Sequence, residues 1–220
     1  MSEKQDGSMK IVEDKDVWDR NRENREAFFE KTVIDSGSVF SAGLVHGGNS
    51  EIVSHGGRKV ISGTDALATK EKGIFLSITV ADCVPVFLFD PINSIIAIAH
   101  AGWKGTVGNV LENTLENISK LGGSIEELHV ALGPGIDVCH FEIRKDVLKE
   151  FSGHEEFIMK KEGKMFVDLK GIITKKLLLA GVAGRNIEND PACTYCNENL
   201  FSYRRDRVGS MVAVIGIMPE

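Results

Sequence analysis

The chain contains 220 residues, which is enough for one domain with a well-buried core but short for two domains. Hydrophobic residues make up 42% of the chain and 23 glycines accompany them, so the composition is that of a globular protein and excludes a disordered one. The 32 acidic residues outnumber the 26 basic residues, which gives a net charge of −6. This balance argues against non-specific binding to nucleic acid or to an anionic membrane, because both need a basic surface.

Two further features of the sequence set the expected compartment. No apolar run reaches the length of a membrane span, and the first ten residues, MSEKQDGSMK, lack the apolar core of a signal peptide. We therefore expect a cytoplasmic protein. Its four cysteines should be reduced, so that they serve metal binding or catalysis rather than disulfides.

The N-terminal region is polar and highly charged. We expect residues 1–20 to form a flexible segment and residues 21–220 to form the folded domain. Within residues 14–31 the few apolar residues, among them Phe28 and Phe29, have helical spacing. The sequence therefore predicts a frayed start followed by a helix.

Beyond about Gly43, short apolar runs alternate with glycine turns. Buried strands are predicted at residues 73–80, 85–90, 94–102, 128–133 and 210–217. Helices are predicted at residues 105–121, 143–151 and 169–180. Asp168 is the expected N-cap of the last helix, and Pro85 predicts an edge strand or a bulge. Because several strands follow one another without helices between them, the pattern favours a single α/β domain with a mixed sheet.

Three metal-binding side chains stand at predicted strand ends, each beside a turn. They are His46, Cys83 and His100. Strand ends at one edge of a sheet converge in space, which is where sites form in α/β proteins. Two imidazoles and one thiolate suit zinc and leave a fourth position for water or substrate. Asp82 precedes Cys83, where a charged side chain is costly unless it has partners.

The residues after His100 form a second candidate site. A glycine turn, residues 101–105, leads straight into a predicted helix and contains Lys104. Backbone N–H groups at the start of a helix attract anions, and the lysine adds a positive charge. The turn is therefore a candidate phosphate site.

The C-terminal region contains a Cys-x-x-Cys pair and two adjacent arginines. Cys193 and Cys196, with His154 upstream, faintly resemble the zinc pattern of nucleobase deaminases, but the proline that should precede the first cysteine directly is displaced by one residue. Arg204 and Arg205 suit recognition of phosphate or carboxylate, or they pair with a neighbouring aspartate in a solvated turn.

One further segment contains an adjacent cysteine and histidine. Cys139 and His140 would face opposite sides if they lay on a strand, so they would not act together as neighbours. A cysteine–histidine nucleophile pair formed across strands stays open.

Four motifs, taken together and in this order, resemble the bacterial laccase-domain proteins. They are ADCVPVFLFDP, AHAGWKG, GPGIDVCHFEI and CT…FSYRRD. That family was first described as multicopper polyphenol oxidases and later as purine nucleoside phosphorylases with adenosine deaminase activity. The resemblance runs from about Asn21 to the C-terminus. It implies a layered α/β/β/α fold shared with cytotoxic-necrotizing-factor-like hydrolases.

The resemblance also implies a site and an activity. The metal would be bound by His46, Cys83 and His100. The reactions would be phosphorolysis of adenosine, inosine, guanosine and methylthioadenosine, together with deamination of adenosine. Partners would be nucleosides and phosphate, with no nucleic acid and no membrane, and the protein would be a monomer or a homodimer.

The sequence departs from the family pattern at three points. No Ser-x-Arg-x-Gly-Gly segment precedes Asn21, Leu44 stands where a glutamine is usual, and Lys104 replaces an arginine. The lysine keeps the charge but loses the fork of the guanidinium group. These departures bear on substrate binding and leave the three expected metal ligands in place.

Three functions remain open at this point. The first is a zinc enzyme acting on purine nucleosides, with Asp82 orienting a ligand or accepting a proton and with phosphate near Lys104 or near Arg204 and Arg205. The second is a copper-dependent polyphenol oxidase, although the chain has six histidines and no His-x-His pair. The third is a cysteine hydrolase using Cys83, or a factor that edits cell-wall (peptidoglycan) precursors.

Overall fold

The computed structural model describes residues 1–12 and 14–219. Within them, five α-helices are present: α1 (Lys15–Lys31), α2 (Trp103–Val107), α3 (Val110–Lys120), α4 (Lys145–Leu148) and α5 (Leu169–Leu179). The first seven strands are β1 (Val39–Gly43), β2 (Ser50–Ile52), β3 (Val60–Ser62), β4 (Ala66–Thr69), β5 (Phe75–Val80), β6 (Val84–Asp90) and β7 (Ile95–Ala101). The remaining strands are β8 (His129–Leu132), β9 (Glu142–Ile143), β10 (Ile158–Lys161), β11 (Lys164–Val167), β12 (Ile187–Asn189) and β13 (Met211–Gly216).

The strands form two mixed sheets and one small antiparallel sheet. The four-stranded sheet has the order β13-β5-β1-β3, and the six-stranded sheet has the order β12-β8-β6-β7-β4-β2. Each of these two contains both parallel and antiparallel pairs. The third sheet, β10-β11-β9, is antiparallel throughout.

Three buried clusters show how the layers pack. Phe40, Leu76 and Ile78 of the four-stranded sheet pack in one cluster with Leu67 and Ile98 of the six-stranded sheet. The two sheets therefore lie face to face, with an apolar layer between them.

The outer face of each sheet is covered by helices. Phe28 and Phe29 of α1 pack against Val39 and Val212 on the four-stranded sheet. On the other side, α3 and α5 cover the six-stranded sheet through a larger apolar cluster. The order of layers is helix, sheet, sheet, helix, so the predicted α/β fold with layered mixed sheets is confirmed.

The N-terminal residues contact this body directly. Asp14 caps α1 by accepting a hydrogen bond from the backbone N–H of Val17, so residues 15–20 belong to the helix. Met9 is fully buried, and the backbone N–H of Ser2 donates to Val212 of β13. The boundary at residue 20 thus falls inside a helix, and the division into segment and domain stays a prediction.

The predicted helix at residues 105–121 is two helices. The break falls at Gly108 and Asn109, between α2 and α3. Lys176 of α5 donates to the carbonyls of Thr106 and Gly108 (2.8 and 2.7 Å), so the carbonyls freed by the break are satisfied. Periodicity could not reveal the break, because both helices present their apolar side chains to the same core.

Two other local expectations are corrected. The helix predicted over 143–151 is only α4 and a 3₁₀ turn at Lys149–Phe151, and its first residue belongs to β9. Pro85 lies in β6, an interior strand, and pairs with His100. The carbonyl of Pro85 accepts a hydrogen bond from the backbone N–H of Gly133, just past the end of β8. The N–H that Pro85 lacks therefore falls beyond the last residue pair between β6 and β8. The helix expected after Asp168 is α5, and the Asp168 carboxylate accepts from the backbone N–H of Gly171 as predicted.

Candidate metal centre and cleft

His46, Cys83 and His100 converge at one end of the two packed sheets. His46 lies in the turn after β1, Cys83 lies between β5 and β6, and His100 lies near the end of β7. The ligand atoms of the three side chains lie within 4.8 Å of one another. The imidazole of His100 is buried, the thiol of Cys83 is half-buried and His46 is exposed at the opening. One side of the cluster is therefore open to solvent.

A fourth residue, Asp65, holds both histidines in place. Its carboxylate accepts hydrogen bonds from the backbone N–H of His46 (2.9 Å) and of Gly47 (2.7 Å). One of its oxygens also lies 2.9 Å from Nδ1 of His100. Since an ionised carboxylate only accepts, Nδ1 of His100 donates and Nε2 is left as the metal-binding nitrogen. A carboxylate that orients a metal-binding histidine in this way is a common feature of zinc sites.

Asp65 was missed by sequence reasoning. It is fully buried, and it stands directly before β4, a strand buried at every position. A carboxylate in such a place is costly unless it is hydrogen-bonded, and that was the available signal. The contact itself joins residues 35 positions apart, so no local pattern could reveal it.

The charges within the cluster reinforce one another. Burial opposes ionisation of the Cys83 thiol, yet the neighbouring His100 and His46 lower its pKa to about 6. Burial also acts to lower the pKa of His100, but the Cys83 thiolate and the Asp65 carboxylate outweigh it and raise this pKa to about 9. The metal-free pair is therefore a thiolate and an imidazolium at neutral pH.

Backbone strain is concentrated beside these ligands. His46 and Asp82 both have positive φ angles, of 55° and 87°. Non-glycine residues rarely adopt this conformation, and it persists only where the surroundings hold it. Asp82 is held by both carboxylate oxygens, which accept from Thr194 Oγ1 and from the backbone N–H of Arg204, each at 2.6 Å. Asp82 thus fixes the turn that presents Cys83.

The space inside the cluster depends on Gly102. A Cβ atom at this position would lie 3.0 Å from Sγ of Cys83 and 3.4 Å from Nδ1 of His46. The backbone of Gly102 is extended, with a φ of −71°, which any residue can adopt. Glycine is therefore needed here because it has no side chain to fill the space between the ligands, and not for its backbone conformation. Two nitrogens and one sulfur around a space kept free of side chain fit a zinc ion with an open fourth position.

The cluster opens into a cleft of about 780 Å³. This volume is in the range of small-molecule sites. The cleft brings together three cations, Lys10, Arg204 and Arg207. It also contains three aromatic side chains, Trp103, Phe141 and Tyr203. Leu44 and Asp82 complete the wall next to the cluster.

The structure separates the three predicted phosphate-binding residues. Arg204 lines the cleft, and its Nη1 donates to the carbonyls of His140 and Glu142 (3.2 and 3.1 Å). The guanidinium of Arg205 instead donates to four backbone carbonyls and pairs with Asp206, so it is committed to holding its own loop. Lys104 is exposed and does not line the cleft. Lys10 and Arg207 line it and were missed, because neither stands in a motif.

The Cys-x-x-Cys pair joins a second cluster rather than the upstream His154. Cys193 and Cys196 meet Cys139 and His140, and the four ligand atoms lie within 4.8 Å of one another. The expectation that Cys139 and His140 face opposite ways is wrong, because they lie in a turn and not on a strand. Nδ1 of His140 lies 3.2 Å from Sγ of Cys139.

Comparison with known proteins now decides the family. The model of the family described as multi-copper polyphenol oxidoreductase laccase matches residues 5–218. The chain belongs to this laccase family. Within the described residues, no helix has both the length and the apolar character needed to cross a membrane.

Relatives in the laccase family have enzyme names. A purine nucleoside phosphorylase of Deinococcus radiodurans is 40% identical over 157 residues, which cover 70% of this chain and 61% of that protein. The adenosine deaminase RL5 of an unknown prokaryotic organism is 33% identical over 164 residues, covering 71% and 63%. The matched part of the chain thus spans less than two thirds of these relatives' lengths. The names support an enzyme of the general phosphorylase or laccase type.

Solved structures of the laccase family have the same fold. YlmD from Geobacillus stearothermophilus superposes with a TM-score of 0.88 at 28% identity, covering 96% of this chain and 85% of that chain. A Bacillus licheniformis hypothetical protein, YfiH, gives a TM-score of 0.85 at 28% identity, covering 90% and 81%. The layered fold is therefore that of its family.

Proposed function

We propose that this protein is a zinc-dependent purine nucleoside phosphorylase that also deaminates adenosine. The observation that carries the proposal is the cluster of His46, Cys83 and His100 at the floor of a cleft lined by cations and aromatic rings. The names of its relatives point to the same two reactions. The substrates would be adenosine, inosine, guanosine and methylthioadenosine.

The proposed metal site uses the three clustered side chains and Asp65. His46, Cys83 and His100 would bind Zn²⁺, and Asp65 would hold His100 in the tautomer that binds through Nε2. A zinc ion with three protein ligands supplies Lewis acidity, which lowers the pKa of water from its bulk value towards neutrality. The surrounding residues would shield the zinc ion from bulk solvent on every side except the one that faces the cleft.

The cleft offers groups that suit both substrates of nucleoside phosphorolysis, the phosphate and the nucleoside. Lys10, Arg204 and Arg207 would bind phosphate, since a guanidinium matches two phosphate oxygens at once. Trp103 and Phe141 would contact the flat purine ring. Lys10 and Arg207 would supply positive charge in place of the family's N-terminal arginine motif.

Asp82 would act as a positioning residue. Both of its oxygens already accept hydrogen bonds, one from Thr194 and one from the backbone of Arg204. It therefore connects the turn that carries Cys83 to the loop that carries a phosphate-binding arginine. A role as proton acceptor would require one of these bonds to break.

Product analysis tests the proposal. Zinc-loaded protein is incubated with adenosine in phosphate buffer, and the products are identified by mass spectrometry. We expect adenine with ribose 1-phosphate, and inosine, above the amounts formed by the Cys83→Ala variant. His55→Ala changes an exposed histidine outside the cleft and serves as the matched control, with unchanged products. If neither product exceeds the Cys83→Ala background, the proposal fails.

A cysteine hydrolase is the second candidate, and one observation favours it. Cys83, His100 and Asp65 form a thiolate, an imidazole and an orienting carboxylate in hydrogen-bonded series. This arrangement matches the nucleophile, base and orienting group of cysteine hydrolases. Alkylation of Cys83 in metal-free protein, with and without added zinc, separates the two. Protection by zinc supports the ligand role, and full alkylation in its presence supports the nucleophile.

A copper oxidase has support from the family description alone. Among the described residues, the candidate metal clusters contain three histidines in total: His46, His100 and His140. Oxidation of phenols by several coppers draws on many more. Metal analysis of protein purified without added metal decides the point, and stoichiometric zinc without copper would rule the oxidase out.

A further inference from the structure

A second group of metal-binding side chains lies outside the proposed catalytic cluster. Cys139 and His140 come from the turn between β8 and β9, whereas Cys193 and Cys196 come from the loop between β12 and β13. The ligand atoms of all four lie within 4.8 Å of one another. The group thus joins two distant segments of the chain: Cys139 and Cys196 are 57 positions apart in the sequence.

The separation of two sulfurs in the group matches the spacing around a tetrahedral ion. Sγ of Cys139 lies 3.7 Å from Sγ of Cys196, and Nδ1 of His140 lies 3.2 Å from each of these sulfurs. A metal with bonds of about 2.3 Å to sulfur at tetrahedral angles places two sulfurs about 3.8 Å apart. The sulfurs are too far apart for a disulfide, whose S–S bond is about 2.05 Å, and all four cysteines are free.

Neighbouring groups support the ligands as they do in structural zinc sites. The backbone N–H of Asp137 donates to Sγ of Cys193 (3.4 Å), and Gly135 forms a β-bridge with Cys193. The ring of Tyr195 stacks on His140 with centroids 4.0 Å apart and planes 16° apart. These three contacts fix the orientation of the ligands.

Packing alone does not explain these side chains. A cysteine that serves as a small hydrophobe is usually buried. Cys193 is buried, but Cys139 and Cys196 are exposed. The exposed thiols point at a common centre instead of at an apolar core.

We propose that Cys139, His140, Cys193 and Cys196 form a closed structural site for a Zn²⁺ ion. Three thiolates and one imidazole fill all four positions of tetrahedral zinc, so the site leaves no position for substrate. Its role is to clamp the loop before β13 to the turn after β8.

The clamp connects directly to the cleft. Thr194 lies between the two cysteines of the Cys-x-x-Cys pair and donates to Asp82. Arg204 donates to the carbonyl of His140 and, through its backbone, to Asp82. The second site therefore braces the wall of the cleft beside Cys83, while the ion that it holds takes no part in the reaction.

Zinc counting tests this site without using activity. Protein purified in buffer free of chelators and added metal is analysed for zinc per chain by mass spectrometry. We expect about two ions in the natural protein and about one in Cys83→Ala, which keeps only the second site. Cys139→Ser and Cys196→Ser should each retain about one ion, and His140→Cys should retain two because a fourth thiolate replaces the imidazole.

Cobalt substitution identifies the ligands of the remaining ion. In Cys83→Ala the cobalt protein should show an intense thiolate-to-metal absorption band, since three sulfurs bind the ion. This variant decides the matter even if the serine variants fail to fold. The proposal is overturned if Cys83→Ala binds no metal or if Cys139→Ser keeps two ions.

Discussion

A single buried carboxylate determines the geometry of the candidate metal centre at the residue scale. The Asp65 carboxylate accepts hydrogen bonds from the backbone of the His46 turn and from the ring of His100, so it links the turn after β1 of the four-stranded sheet to β7 of the six-stranded sheet. Although burial raises the pKa of Asp65, its hydrogen bonds from His100 and Gly47 outweigh this, and the pKa lies below its ordinary value. Asp65 is therefore ionised at neutral pH and orients the imidazole of His100.

Replacing this carboxylate should weaken metal binding without changing the ligands. In Asp65→Asn the side chain keeps its shape but loses the charge that fixes His100, so we expect the zinc dissociation constant to rise by about 10- to 100-fold. Competition with a chromophoric chelator measures the constant. Asp16→Asn, at an exposed position on α1, serves as the control and should leave it unchanged. An unaltered constant in Asp65→Asn would contradict the orienting role.

The ionised Cys83 thiol gives a second prediction. Because its pKa in the metal-free protein is lowered to about 6, the reactive thiolate persists down to this pH and is lost as the pH falls through it. The rate of alkylation of Cys83 by iodoacetamide should therefore reach half its maximum near pH 6. Peptide mass spectrometry gives the rate at each pH. A midpoint near that of an ordinary thiol, about 8.5, would show that His100 does not stabilise the thiolate.

Gly102 gives a prediction about space. A methyl group in Gly102→Ala would lie 3.0 Å from Sγ of Cys83, so the variant should fold normally but bind zinc at least about 10-fold more weakly. Gly47→Ala is the matched control, since its Cβ would meet its nearest neighbour at an ordinary 3.5 Å. Zinc affinity and melting temperature are measured on both. Equal affinities in the two variants would mean that the glycine does not keep the metal position open.

At the scale of elements, α1 is attached to the four-stranded sheet by a buried guanidinium. Arg25 donates to the carbonyl of Met9 and to the hydroxyls of Ser41 and Ser77, and it lies over the ring of Phe29. These hydrogen-bond acceptors are all neutral, and burial lowers the pKa of Arg25 to about 10. The contact links the N-terminal segment to β1 and β5 at once.

Removing this side chain should loosen the helix. We expect Arg25→Ala to lower the free energy of unfolding by about 2–4 kcal/mol, because it leaves a cavity and unpaired polar groups. Arg25→Met should recover part of the loss by filling the space. Arg22→Ala, on the exposed side of the same helix, should change the free energy of unfolding by less than about 0.5 kcal/mol. Urea unfolding measures all three, and equal effects at positions 22 and 25 would contradict the anchoring role.

The same scale explains which elements the sequence could predict. Strands β5 to β8 and β13 are apolar runs bounded by turns, and α5 has both a cap and a terminal glycine, so each was predictable. Strands such as β2, β3 and β12 have three residues each and are largely exposed, so they have no such signal. At the break between α2 and α3, two carbonyls accept hydrogen bonds from Lys176, which approaches from another helix and has no local signal in the sequence.

The features of the candidate site also divide into those that the sequence could predict and those that it could not. His46, Cys83 and His100 could be proposed because each ends an apolar run beside a turn. The contacts of Asp65 and of the Cys139 turn could not, because their partners are brought in by pairing of distant segments. Long-range pairing is the part of the fold that a single sequence shows least directly.

At the scale of the whole molecule, the cleft exists because two sheets pack face to face and their turns meet at one end. The four-stranded sheet contributes the turn of His46 and the start of the Cys83 turn, and the six-stranded sheet contributes β7 with His100. The C-terminal loop adds Arg204 and Arg207, and the N-terminal segment adds Lys10. The site is therefore a product of the layered architecture and of no single element.

The central claim is that His46, Cys83 and His100 together hold a zinc ion at the floor of this cleft. A crystal of the purified protein, measured just above and just below the zinc absorption edge, tests it most directly. The account predicts an anomalous peak about 2.0–2.3 Å from one nitrogen of each histidine and from Sγ of Cys83, absent below the edge. A zinc-loaded crystal with no peak among these three residues would contradict it.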